Sequence, residues 1–182
     1  ENNALVGDTS QDRTENCREW QKMTSYTCPL HEIHYVVYSM PLEEMEKVAT
    51  RRDSTYKNRF LERITKKDTA ILDFLLLAKT NEYIRAKRNS RWYYPSMKIG
   101  ARMTLEEVAQ ASLSADVPAL RERYLLQGIR ALFSLARYDE CIRIWEEEVQ
   151  LLPRENLMRR MIEPYIAGAR YHTGQIKSDV EY

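Results

Sequence analysis

Glycine and proline are scarce, five and six residues in a chain of 182. A β-sandwich or barrel spends such residues at every corner, so their scarcity argues against a turn-rich all-β fold and in favour of helices. A strong charge of either sign is also missing. Lys and Arg number 28 against 27 Asp and Glu, a net charge of +1. Whole-molecule electrostatics therefore gives no reason to expect a nucleic-acid or anionic-membrane partner, and any such role has to be local. Long apolar runs are lacking: the strongest, Ile71 to Ala78, contains Asp73 and falls far short of the roughly 20 residues a bilayer span needs. Cysteine is limited to Cys17, Cys28 and Cys141, an odd number whose spacings match no zinc or disulfide framework. Buried free thiols are the expectation, with a Cys17–Cys28 bridge as the alternative for an exported chain.

Catalytic signatures are thin as well. The chain has no glycine-rich phosphate loop and no Gly-x-Ser-x-Gly elbow. Glu146, Glu147 and Glu148 read as a solvated face, and Cys141 sits where a helical hairpin packs closely, which makes a thiol inert. We therefore assign no catalytic residue, no cofactor and no metal, and expect a protein that is not an enzyme. The start carries no initiating Met, and no signal peptide is expected from it. The start Glu1-Asn2-Asn3 suggests a processed or trimmed product, and the compartment stays open.

What is present is helical periodicity. Residues 1–13 are polar and aperiodic and read as a flexible lead-in, with residues 14–182 as one domain. Thr14 is expected to cap a helix carrying Cys17, Trp20 and Met23. His31 to Met40 is rich in β-branched and aromatic residues, but a lone strand has no partner here, so it is assigned to helix. Pro41 suits a helix start, and Leu42, Met45, Val48 and Ala49 follow at helical spacing. Tyr56, Phe60, Leu61 and Ile64 mark the next helix. Asp68 or Thr69 opens another, running to about Arg88 and apolar nearly all round from Ala70 to Ala78, which predicts neighbours on several sides.

Asn89, Ser90, Pro95 and Gly100 place a loop over 89–103. Thr104 to Glu107 reads as a capping box. Asp116 and Pro118 open a helix with the stripe Leu120, Tyr124, Gly128, Ile129, Leu132 and Leu135. A tight connection at Ala136-Arg137 leads to Tyr138, Cys141, Ile142, Trp145, Val149 and Leu152, and Pro153 is expected to end that helix. Leu157, Met161, Tyr165, Gly168 and His172 mark the last, with a kink or break at Pro164 and closure at Gly174. Helices joined by short loops, with no strand pair to cover them, must cover one another. The expected fold is all-α, an α-solenoid of antiparallel helical hairpins.

The segment Ala136 to Pro153 resembles the second half of a tetratricopeptide repeat, with Tyr138, Cys141, Trp145 and Pro153 in the family's places. The small residue lets two helices approach, the aromatic fills the gap to the next hairpin, and the proline lets the chain turn. The resemblance implies a tetratricopeptide-like unit over about 119–153 and a partial second unit over 155–182. Several positions depart from the family pattern. Gly128 lies one residue too far from Tyr138, Leu125 stands where a Trp is usual, and Glu148 replaces a small residue. The spacing from Gly128 to Gly168 also exceeds the usual roughly 34 residues. The terminal hairpin reads as incomplete, which predicts further repeats after Tyr182 or a second copy covering the open end. Phe74 to Lys79, with Trp92-Tyr93-Tyr94-Pro95, is similar to a pattern in uncharacterised bacterial helical-repeat proteins. That likeness implies a bacterial origin, with cytoplasm and export both open.

The candidate binding segment runs from Tyr83 to Met103. It holds Arg85, Lys87, Arg88, Arg91, Lys98 and Arg102, interleaved with Trp92, Tyr93 and Tyr94, and no acid. We select Arg85, Lys87, Arg88, Arg91, Trp92, Tyr93 and Tyr94 as partner-binding residues, because Trp, Tyr and Arg dominate binding hot spots. The plainer alternative is that the cations suit a helix C-terminus while the aromatics fold the loop onto the core. Stacking on single-stranded nucleic acid is a further alternative, disfavoured by the balanced net charge. His31 and His34 share a helical face, yet a third ligand is missing nearby, so the pair reads as surface or half-buried. The expected role is a scaffold or adaptor for a protein or peptide partner.

Overall fold

The computed structural model describes residues 9–51, 53–88 and 103–174, and every regular element among them is helical. The helices are α1 (Ser10–Met23), α2 (Leu30–His34, continued by a π-helical turn, Tyr35–Ser39), α3 (Leu42–Thr50), α4 (Arg59–Lys66), α5 (Thr69–Arg88), α6 (Leu105–Ser114), α7 (Arg121–Ser134), α8 (Tyr138–Glu147) and α9 (Leu157–His172). The expected all-α class holds. The expected loop over 89–103, with Arg91, Trp92, Tyr93 and Tyr94, lies outside the described residues but for Met103. So do residues 1–8 and the tail from Gln175. The chain divides into two compact units, Gly7–Thr80 and Asn81–Tyr182, with the boundary inside α5.

In the unit Gly7–Thr80, α1 starts four residues earlier than its expected cap. Thr9 Oγ1 accepts the Asp12 N–H at 3.0 Å and Asp12 Oδ2 accepts the Thr9 N–H at 3.4 Å, a capping box with Asp in place of Glu. Thr14 lies inside the helix, where its hydroxyl donates to Ser10 O. α1 buries Cys17 and Trp20, and the Trp20 ring sits 5.7 Å from Phe74. His31–Met40 is helical as assigned, but crowding by β-branched Val36 and Val37 coincides with a wider π turn closed by Met40 N–H to Tyr35 O at 2.8 Å. The Lys79 ammonium donates to Val37 O and Met40 O at 3.0 and 2.7 Å, satisfying carbonyls that the end of this turn would otherwise orphan.

Pro41 stands at the N-cap of α3, at a helix start as expected. Two finer expectations are corrected in this unit. Tyr56 precedes α4, where its N–H donates to Glu62 Oε2 at 2.9 Å and its hydroxyl to Arg51 O at 2.8 Å. Asn58, polar and therefore outside the apolar stripe, is the true cap, accepting the Leu61 N–H. In α5, Ile71, Leu72, Phe74 and Leu75 are buried, but Ala70 and Asp73 are exposed, so its first half is not enclosed all round.

In the unit Asn81–Tyr182 the enclosed helix is α7, which packs against α6, α8 and α9. Every residue from Arg123 to Ile129 is buried. Its N-terminal end is anchored where Arg121 forks onto Glu148 at 2.8 and 3.1 Å. Gly128 marks the close crossing with α6, since a Cβ there would lie 2.6 Å from Leu113 Cδ2. Arg121 meets Glu148, Cys141 Sγ faces Ile129 O, and Phe133 meets Tyr138, so α7 and α8 run antiparallel. α7 and α9 run parallel: Asn156 donates to Glu122, Arg130 lies over Tyr165, and Phe133 fills the space beside Gly168. These three pairs hold a nearly constant separation of about 34–35 residues.

α8 ends at Glu147 rather than at Pro153, because the chain tightens into a 3-10 turn at Val149–Leu151 first. Trp145 is buried beneath the Arg159 guanidinium, 5.2 Å from its ring. α9 runs through Pro164 without a break and is capped by Asn156. Gly174, at φ +71°, closes its end.

The α7–α8 connection is a Schellman turn. Arg137 N–H donates to Leu132 O at 2.9 Å and Ala136 N–H to Phe133 O at 3.0 Å. Ala136 is left-handed, at φ +58°, a conformation its Cβ makes costly and glycine does not. Ala136→Gly should raise unfolding free energy by roughly 0.5–1 kcal/mol, read as a higher denaturant midpoint at unchanged slope. A lower midpoint contradicts the turn.

Candidate functional site

The candidate segment begins on the last two turns of α5, and its described residues point in different directions. Tyr83 and Lys87 are exposed one turn apart, with the Lys87 ammonium 5.5 Å from the centre of the Tyr83 ring. Arg88 is half-buried. Arg85 faces inward and is only 8% exposed. Sequence reasoning grouped Arg85 with outward anchors, whereas Asn81, Ile84 and Arg85 form a buried face at i, i+3 and i+4.

That face meets α7 and α9 through polar atoms. Asn81, fully buried, donates through Nδ2 to Gln127 O at 3.0 Å and to Gln127 Oε1 at 2.9 Å. Its Oδ1 accepts Arg85 Nε–H at 3.2 Å. Each of these groups would cost about 1–3 kcal/mol if buried without a partner, so the chain of bonds fixes the end of α5 in register with α7. Burial, and after it the Arg130 charge, pushes Arg85 below the ordinary arginine range, while Tyr165 and Glu82 favour its charged form. Tyr165 is 2% exposed, and its hydroxyl, beside Arg85, completes no hydrogen bond of ordinary geometry. Asn81 and Gln127 were invisible to a reading built on apolar stripes. Their only signal was a polar residue at a helical spacing that predicts burial.

The remaining candidates are accounted for within the fold. Glu32 of the His31–His34 segment accepts the Arg59 N–H at 2.7 Å, placing its charge on the N-terminus of α4. His31 and His34 are exposed, and His34 lies 5.1 Å from Tyr38, ring to ring. His172 stacks on Tyr138 at 4.4 Å with planes 5° apart. A shallow groove of about 530 Å³ over the α6–α7 turn includes Arg121, whose charge is already taken by Glu148.

Comparison of the chain with family models, with curated proteins and with solved structures gave no match.

The three cysteines are free and buried, so Cys17 and Cys28 are not bridged. Burial, with a smaller push from Glu140, raises the Cys141 thiol to about 12. At pH 8 it is therefore neutral and enclosed. Iodoacetamide at that pH should leave Cys141 unmodified in the folded chain and label it in denaturant, as read by peptide mass spectrometry. Rapid labelling of the folded chain contradicts this placement.

Proposed function

We propose that the chain is a non-catalytic scaffold of helical-repeat type, with the tetratricopeptide-like unit in its C-terminal part, and that it presents the end of α5 and the segment after it to a protein or peptide partner. The repeat reading is supported by the parallel α7–α9 pair, whose contacts keep a separation of about 34–35 residues, close to the roughly 34-residue period of that repeat. The binding reading rests on one observation. The inner face of the α5 end is locked through Asn81 and Arg85, while Tyr83 and Lys87 stand outward on the same turns. An anchored helix end loses little entropy when a partner docks on it, and Tyr and Arg are the residue types that anchor interfaces. Trp92, Tyr93, Tyr94 and Arg91 follow within a few residues and extend the same chemistry. α9 offers a second route to association: Tyr171, 70% exposed near its end, would meet another repeat or a second copy.

The test is affinity capture with the intact chain and with Trp92→Ala/Tyr93→Ala, with retained proteins quantified by mass spectrometry. The proposal expects a set of proteins held by the intact chain and lost from the variant. Identical sets contradict it. Binding of a single-stranded oligonucleotide that falls steeply with salt, and is lost from the same variant, would replace it with the nucleic-acid reading.

A further inference from the structure

Two turns lie side by side at the end of the unit Asn81–Tyr182 where α7 and α9 begin. Residues 115–120 join α6 to α7, and residues 148–156 join α8 to α9. Arg121 ties the two together: its guanidinium forks onto Glu148 and donates at 2.8 Å to Leu113 O.

The first turn is shaped to receive an apolar side chain beside a cation. Its groove of about 530 Å³ has Leu113, Ala115, Val117 and Pro118 in its walls, with Asp116 among them. The positive charge of Arg121 is taken by Glu148. Asp116 is exposed and forms no ion pair among the described residues. The second turn carries what such a groove fits. Leu151 is 76% exposed, more than any other large hydrophobic side chain among the described residues. The 3-10 turn Val149–Leu151 holds it in place, with Val149 buried beneath. Arg154, three residues on, is exposed and forms no ion pair among the described residues. A single exposed leucine is ordinary on a protein surface. Here it stands next to an apolar groove of its own chain that it does not enter, with an unpaired acid on one turn and an unpaired base on the other.

We propose that this end of the unit is a self-complementary interface at which two copies of the chain pair about a two-fold axis. Leu151 of each copy enters the groove of the other, and Arg154 of each meets Asp116 of the other. The charges favour a second copy over an unrelated occupant. Acid and base sit on one surface, each needs the opposite sign, and a two-fold rotation supplies both pairs at once. Two short turns cover less than the roughly 1,200 Å² of a standard stable interface, so the dimer is weak and reversible. This inference stands apart from the scaffold proposal, which uses the end of α5, and from Tyr171, at the opposite end of α9.

Sedimentation velocity of the purified chain, from roughly 10 µM to 1 mM, tests it. The expected result is a monomer–dimer equilibrium. Leu151→Asp should raise the dissociation constant by at least about tenfold, because the leucine is buried twice per dimer. Asp116→Arg and Arg154→Asp each set like charges opposite one another and should weaken the dimer, whereas Asp116→Arg/Arg154→Asp should restore it. Tyr171→Ala should leave it unchanged. Circular dichroism checks that each variant is folded, and a dimer of the double variant shows that neither reversal harms the fold. A chain that stays monomeric throughout the range overturns the proposal, and proteins captured by it but lost from Leu151→Asp would then assign the groove end to a foreign partner. A dimer that survives Leu151→Asp, or that Tyr171→Ala abolishes, overturns it too. So does a double variant no better than the single reversals.

Discussion

Enclosure of α7 is the constraint on which the unit Asn81–Tyr182 depends. α6, α8 and α9 all pack on this one helix, and the end of α5 bonds to it through Gln127. Each approach is met by a different local solution. Gly128 removes a side chain where α6 crosses. Cys141 supplies a small, soft residue where α8 comes close. Phe133 fills the space left by Gly168 of α9. A helix covered on this many sides cannot shift to accommodate a change, because packed interiors tolerate added volume poorly.

The polar seam follows from that enclosure. Once α7 is covered all round, Arg123 and Gln127 on it are buried along with the leucines. Each buried polar group must find a partner. Gln127 finds Asn81, and Asn81 in turn holds Arg85. A bond pattern of this kind specifies one rotation of α5 about its axis, which apolar contacts alone do only loosely. The consequence reaches the surface: with one face of the α5 end fixed inward, Tyr83 and Lys87 are fixed outward. The outward pair and the buried Arg85–Tyr165 junction are thus two results of the same packing.

The helices themselves were legible in the sequence, because apolar residues recur at three- and four-residue steps and few prolines interrupt them. Leu42, Met45 and Val48, Phe60, Leu61 and Ile64, and Cys141, Ile142 and Trp145 all lie where that period places them. The ends were less legible, since they depend on polar caps that also occur elsewhere: Thr9 and Asn58 cap helices, Thr14 does not. In α9 the choice of Met161, Gly168 and His172 tilted the stripe, because the buried face runs through Met158, Ile162, Tyr165, Ile166 and Ala169. Neighbours on several sides were expected for the first half of α5, yet α7 is the more enclosed helix, for a physical reason. Continuous hydrophobicity suggests burial on all sides, yet α7 reaches that state with Arg and Gln among its residues, paired rather than absent. For the site, the list of basic and aromatic residues was readable, but the inward turn of Arg85 was not, because Arg85 is held by Asn81, whose own partner Gln127 lies 46 residues further along the chain. The parallel register of α7 and α9 was hidden in the same way. Its markers are a Glu122–Asn156 bond and an aromatic seated on a glycine, not two copies of one motif.

Native-state hydrogen exchange measured amide by amide addresses the enclosure of α7 most directly. Within residues 103–174, the account predicts the slowest exchange for α7 amides from Leu125 to Leu132, opening only with global unfolding, and faster exchange in α6 and at the end of α9. Exchange in α7 as fast as in the last turns of α9 would contradict it.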